Sequence, residues 1–165
     1  MLKKEYILPA IIVLFLLTQK GSERDKSFFG DMSKPRGIRN NNPGNLKISS
    51  SDWRGKIPVQ NNTDGVFEQF QNWYYGVRAM WRLISNYIQS GNNTIAKIVS
   101  RYAPTSENNT NTYINYVSSF TGINPNENLS GRDLYPVIDA MARLENGTQL
   151  GEVISRADYE KAMQI

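Results

Sequence analysis

Apolar positions follow three different periods along this chain. Tyr6 to Leu17 (YILPAIIVLFLL) is an unbroken apolar run behind Lys3 and Lys4, and a terminal run apolar on every face predicts a membrane element, not a core helix. At about 12 residues it falls short of the ~20 of a full span and is closer to the apolar region of a secretory signal. Thr18, Gln19 and Lys20 follow without a small-x-small cleavage site, which favours an uncleaved N-terminal membrane helix whose flanking lysines snorkel. Residues 1–20 are assigned to this anchor or uncleaved signal, with membrane contact through residues 6–18. Residues 21–35 (GSERDKSFFGDMSKP) form a tether that Phe28 and Phe29 dock. From Leu46 to Phe70, alternating pairs broken by Gly, Pro and the turn Asn61-Asn62-Thr63-Asp64-Gly65 predict two or three short antiparallel strands.

The period then becomes helical. Val77, Met80, Trp81, Ile84 and Ile88 make one stripe that Gly91 caps, and Thr94 starts a second helix through Tyr102, stopped before Pro104. Thr110 or Asn111 starts a third, carrying Tyr113, Tyr116, Val117 and Phe120 toward Gly122. Ser130 or Asp133 begins a fourth, with Pro136 in its first turn, and Ala157 to Met163 is a short fifth. The expected fold class is α+β, mainly α: one domain over residues 36–165 with a small antiparallel β element.

Between tether and strands lies RGIRNNNPGNLK, Arg36 to Lys47. Asn tolerates left-handed backbone while Gly and Pro punctuate, so the whole stretch predicts a shaped loop, with no helix, entering a strand near Leu46. Shaped loops tend to carry function.

Composition narrows the chemistry. The net charge of +4 suits an anionic partner, but the basic residues are scattered and do not choose among nucleic acid, membrane surface and wall polymer. This sequence has no Cys and no His, which removes thiol nucleophiles, Ser-His-Asp triads and ordinary catalytic zinc sites. Acid-base work near neutral pH is left to a carboxyl group of shifted pKa, or to a Lys or Tyr. Paired or single carboxyl groups are what glycan cleavage uses, and such chemistry requires no cofactor and no metal.

Glu145 is the candidate acid. Leu134, Val137, Ile138 and Met141 form an apolar stripe, and at 100° per residue Glu145 lies about 20° from Leu134 around the helix. It also sits in the last turn, ahead of Gly147, where desolvation and the negative end of the helix dipole would both raise its pKa. A neutral carboxyl can donate a proton to a glycosidic oxygen. The alternatives are Glu68, alternating with apolar neighbours in VFEQF, Glu107 in a polar loop before a helix, and Glu23 in the charged tether. A sugar cleft also needs flat faces and amides: Trp53, Trp73, Tyr102 and Tyr113 are the candidate platforms, Asn42, Asn45 and Asn108 the candidate amides, with Asn42 and Asn45 expected across a cleft from Glu145.

RGIRNNNPGNLK, together with Trp53-x-Gly55, Asp64, Phe67-x-x-Phe70, Gly76-Val-Arg-Ala79, Arg101-Tyr-Ala-Pro104 and Glu107-Asn-Asn-Thr110, resembles a family of phage cell-wall-degrading proteins of lytic-transglycosylase type, over Arg36 to about Gly147. Asn41 to Lys47 is also similar to the strand and turn of flagellar and autolytic glucosaminidases, which have a lysozyme-like fold. Ala142-Arg-Leu-Glu-Asn-Gly147 resembles the Ala-x-x-Glu-Ser-Gly signature at the end of their catalytic helix, with Asn146 in place of Ser. In those families the catalytic helix precedes the Asn-Asn strand; here it follows, so the resemblance implies a circularly permuted lysozyme-like arrangement.

What it implies for function is cleavage of the glycan strand of peptidoglycan by lytic transglycosylation, leaving 1,6-anhydromuramoyl ends, with Tyr102 and Tyr113 in the cleft. The enzyme would sit in a phage virion membrane or the host inner membrane, its lytic domain facing the wall during host penetration or lysis, beside other virion proteins. Two alternatives stay open: a hydrolytic lysozyme using Asp64 as second carboxylate, or a non-catalytic peptidoglycan-binding structural virion protein. Nucleic-acid binding has no recognisable motif here.

Overall fold

A computed structural model describes residues 26–106 and 109–165. The segment predicted as an N-terminal membrane helix, the start of the tether with Glu23, and Glu107 and Asn108 lie outside the described residues. Among the described residues, no helix is long and apolar enough to cross a membrane.

The chain is mainly helical. In order, the helices are α1 (Arg36–Arg39), α2 (Trp73–Gln89), α3 (Ile95–Tyr102), α4 (Thr110–Thr121), α5 (Tyr135–Asn146) and α6 (Arg156–Met163). Four begin at side chains that accept an orphan N–H of the first turn: Asn72 from Tyr75, Thr94 from Lys97, Asn109 from Thr112 and Ser155 from Asp158. Gly122, at φ 71°, ends α4 in the left-handed conformation.

The fourth long helix starts later than its sequence predicts. Residues 129–132 close a turn, Arg132 N–H donating to the Leu129 carbonyl, and Asp133 accepts from Tyr135 N–H, so the helix is entered only at Tyr135.

Helix α2 packs on α6, α4 on α5, α3 on α4, and α1 on α5. The predicted stripe of α2 supplies Val77, Met80 and Ile84 to the main core, with Trp81 and Ile88 at its margin. Leu46, Phe70 and Ala79 form a second, smaller cluster that joins the irregular segment to α2, flanked by Trp53, Tyr75, Leu83 and Tyr102.

Two predictions need correction. Arg36–Arg39 is a helical turn, entered from Pro35 in extended conformation, and the loop proper begins at Asn40. The β element is reduced to two isolated antiparallel bridges, Lys47 with Phe67 and Lys56 with Phe70. Backbone bonds from Ile48 N–H to Val66, Glu68 N–H to Leu46, Ile57 N–H to Gln69 and Gln71 N–H to Gly55 flank these bridges. Side chains take further donors: backbone N–H groups of Ser49, Thr63, Asp64, Gly65 and Phe67 donate to Glu68, Gln69, Asn62, Asn62 and Asp64 respectively.

Candidate functional site

Helix α5 delivers Glu145 to its C-terminal turn, partly buried. Tyr113 of α4 donates its hydroxyl to Glu145 Oε1 at 3.1 Å, and Asn45 Nδ2 donates to Oε2 at 3.2 Å and to the Glu145 main-chain oxygen at 3.0 Å. That last bond satisfies one of the carbonyls a helix end leaves open. Burial pushes the Glu145 carboxyl above the ordinary carboxylate range, opposed by the hydrogen bonds from Asn45 and Tyr113, which favour the anion.

Tyr113 and Tyr102 meet edge to face with ring centroids 6.4 Å apart, and Tyr102 in turn donates to the Gly44 carbonyl. Burial first, then the charge of Glu145, drives both phenols well above their usual pKa, so they stay protonated donors. Arg143 pairs with Asp139 at 2.8 Å, so this neighbour is committed away from Glu145.

The asparagines of the loop do different jobs. Asn40 Nδ2 donates to Asp64 and its Oδ1 accepts from Gln69. Asn41, at φ 52°, accepts from Phe28 N–H and donates to the Phe70 carbonyl and Ser27, which ties the tether to the domain. Asn42, fully buried, donates to the Leu46 and Glu68 carbonyls and accepts from Leu46 N–H. Asn45, at φ 48°, faces Glu145.

Gly37 makes the joint between loop and helix close. A Cβ there would fall 2.5 Å from Asn146 Oδ1 and 2.6 Å from Asn45 Oδ1. Both oxygens are buried without a donor, in amides whose orientation is fixed through their nitrogens, Asn45 by Glu145 and Asn146 by the Pro43 and Ala142 carbonyls.

Glu145 opens into a cleft of about 470 Å³, walled by Asn45, Trp53, Phe67, Leu83, Tyr87 and Tyr102. The structure thus brings together Glu145, Asn45, Tyr102, Tyr113 and Trp53. Other candidates fall elsewhere. Asn42 is no substrate amide, since the loop backbone uses all of it. Trp73 is buried core packed edge-on to Phe28.

Glu68 is completely buried below the rim: its Oε1 accepts from Ser49 N–H and from Lys56 Nζ at 3.3 Å, and Lys56 also holds the Ser49 and Ser51 carbonyls. Asp64 receives Arg36 in a bidentate pair at 2.7 Å. Arg36 first, with the Asn40 amide and the Phe67 and Val66 N–H groups, outweighs burial and holds the Asp64 carboxyl far below the usual range. Among the described residues, no group of three or more acidic side chains is placed to hold a metal ion.

Sequence reasoning missed Leu83, Tyr87, Phe67 and Gly37. Leu83 and Tyr87 lie four residues apart on α2, off the apolar stripe, and that offset was the available signal.

No protein-family model matches the chain. It is 39% identical over 117 residues, 68% of this chain and 72% of the relative, to Protein P5 of Pseudoalteromonas phage PM2. At that identity and coverage, the chain belongs to the family of phage PM2 Protein P5.

Proposed function

We propose that this protein cleaves the glycan strand of peptidoglycan as a lytic transglycosylase, with Glu145 as its acid and base. The observation that carries the reading is a carboxyl group, raised in pKa by burial, held by two neutral donors at the edge of an aromatic-walled cleft. Protonated Glu145 donates to the oxygen between N-acetylmuramic acid and N-acetylglucosamine, and that bond breaks. The resulting carboxylate takes the proton of the muramoyl 6-hydroxyl, whose oxygen closes the 1,6-anhydro ring. Tyr113 and Asn45 stabilise the anion between the two transfers.

A single acid completes this cycle, whereas a hydrolase ordinarily uses a second carboxylate. Asp64, the carboxylate weighed for that part, is engaged in a structural pair with Arg36, which supports the transglycosylase over the muramidase. The fold is then a lysozyme-like domain in permuted order, with the acid helix following the Asn loop. The phage relative supports a phage setting. The apolar run at residues 6–17, outside the described residues, would hold the domain at a membrane facing the wall.

Mass spectrometry of peptidoglycan digested by the full chain is the test. Anhydromuramoyl ends, lost in Glu145→Gln, are expected; reducing ends would make the protein a muramidase, and intact glycan would make it a binding protein.

A further inference from the structure

The outer face of α2 carries Arg78 and Arg82 one turn apart, where i,i+4 side chains are surface neighbours. Arg54 joins them, because the loop 53–56 lies on the same stretch of helix: a Cβ on Gly55 would fall 2.1 Å from the Tyr75 ring. Burial, then the charges of Arg82 and Arg54, hold the Arg78 guanidinium below its ordinary pKa. Four other arginines, Arg36, Arg132, Arg143 and Arg156, pair with a carboxylate. Among the described residues no acidic side chain pairs with Arg54, Arg78 or Arg82; Arg78 Nε donates to the Ile165 main-chain oxygen at 2.8 Å, and Arg82 lies over the Trp81 ring at 4.8 Å.

Arg54 and Arg82, without an acidic side chain to pair with, flank Arg78, which is engaged at the Ile165 main-chain oxygen, and like charges gathered in one place oppose folding and attract anions. Their position says which anion. Trp53 and Leu83, the chain neighbours of Arg54 and Arg82, are cleft wall, so the trio stands on the outer side of that wall. A glycan strand lying in the cleft carries peptide stems that project beyond it, and those stems carry carboxylates.

We propose that Arg54, Arg78 and Arg82 form an anion-binding rim that engages the stem-peptide carboxylates of the strand held in the cleft. This rests on the peptidoglycan reading and adds a substrate preference to it: peptide-bearing, anionic glycan over neutral glycan. An anionic membrane surface would need the same cations without the cleft beside them.

The test is sedimentation with purified sacculi of the full-length chain carrying Glu145→Gln, so that binding is read whether or not the parent cleaves. Native sacculi are expected to bind roughly tenfold tighter than sacculi whose carboxyls have been amidated, with the difference fading at high salt. Adding Arg54→Glu and Arg82→Glu should erase the difference, while Lys97→Glu, a charge reversal on α3, keeps it. The proposal is overturned if the double variant retains the preference, if it weakens native and amidated sacculi alike, or if the charge dependence is found on anionic-lipid vesicles and not on sacculi. Failure of the glycan reading shows separately, as absence of cleavage products from the parent.

Discussion

Glu145 and Asp64 are both carboxylates tucked against the same asparagine-rich loop, and their surroundings push them in opposite directions. Asp64 meets a guanidinium, the Asn40 amide and two backbone N–H groups, all of which favour its anion. Glu145 meets one phenol and one amide and no cation, and burial wins. The first arrangement makes an anchor for the irregular segment; the second leaves a carboxyl group whose neutral form burial favours. Chemistry near neutral pH is therefore located by the absence of a strong counter-charge, more than by the presence of an acid.

The sharpest way to break this contrast is Glu145→Gln. Under the proposed reaction, release of muropeptides falls by roughly 10²- to 10⁴-fold, the usual share of a general acid. Stability should move the other way. A folded-state pKa raised above the unfolded one gives stability that is complete below the ordinary glutamate pKa of about 4.3 and lost as pH rises through the folded value. At pH 7 the variant is thus expected to melt no lower than the parent, and above it if Glu145 is ionised there. A variant that melts well below the parent at pH 7 would mean that Glu145 is a structural anchor like Asp64.

Gly37→Ala strikes the joint between the two regions. Its Cβ would press on Asn146 Oδ1 and Asn45 Oδ1, whose amide nitrogens are held by bonds of their own, and on the Asn42 carbonyl, which accepts from Asn45 N–H. Overpacking of this kind costs about 1–3 kcal/mol. Activity should fall further than stability, because the displaced Asn45 takes its hydrogen bond away from Glu145. A thermal melt beside a cleavage assay at a temperature where the variant is fully folded separates the two.

How much of this was legible beforehand follows the physics of each region. Helices α2 to α4 are written in local signals: the apolar stripe of α2, the cap at Thr94 and the end at Gly122 were read from them, whereas the caps at Asn72 and Asn109 were not. The stripe on α5 also put Glu145 on the inward face. The β element misled because alternation from Leu46 to Phe70 records which side chains face inward, not what their N–H groups bond. Some of those donors, at Ile48, Ile57 and Glu68, meet backbone carbonyls across the segment, while others go to the side chains of Glu68, Gln69, Asn62 and Asp64, a tertiary outcome that residue types do not announce. Likewise the four asparagines look alike in sequence. Only the fold distinguishes Asn42, locked in the backbone, from Asn45, aimed at Glu145 across 100 residues of chain.

Asp64→Asn tests the anchor. It removes the charge that makes the Arg36 pair and weakens the acceptor that the Phe67 and Val66 N–H groups donate to, for a loss of about 2 kcal/mol by the usual worth of charged hydrogen bonds. Because the folded-state pKa is depressed, this stability is present above the ordinary aspartate pKa of about 3.9 and declines as pH falls below it. Parent and variant should therefore differ most in chemical denaturation near neutral pH and converge toward strong acid. A gap that persists unchanged in strong acid would show that shape, not charge, is what Asp64 provides.

Tyr113→Phe probes the finest part of the contrast, the two neutral donors on Glu145. The hydroxyl favours the anion, so its removal raises the Glu145 pKa further. A general acid works only while protonated, and the alkaline limb of the pH–rate profile marks where that form is lost. The limb should therefore move to higher pH in Tyr113→Phe even as the maximum rate falls, since the anion left after proton donation has lost a partner. Asn45→Ala removes the other donor and should shift the limb the same way, with an added loss from the freed helix end. A limb that moves to lower pH in both variants would mean that the two donors hold the neutral acid, and their role as stabilisers of the anion left after proton donation would fall.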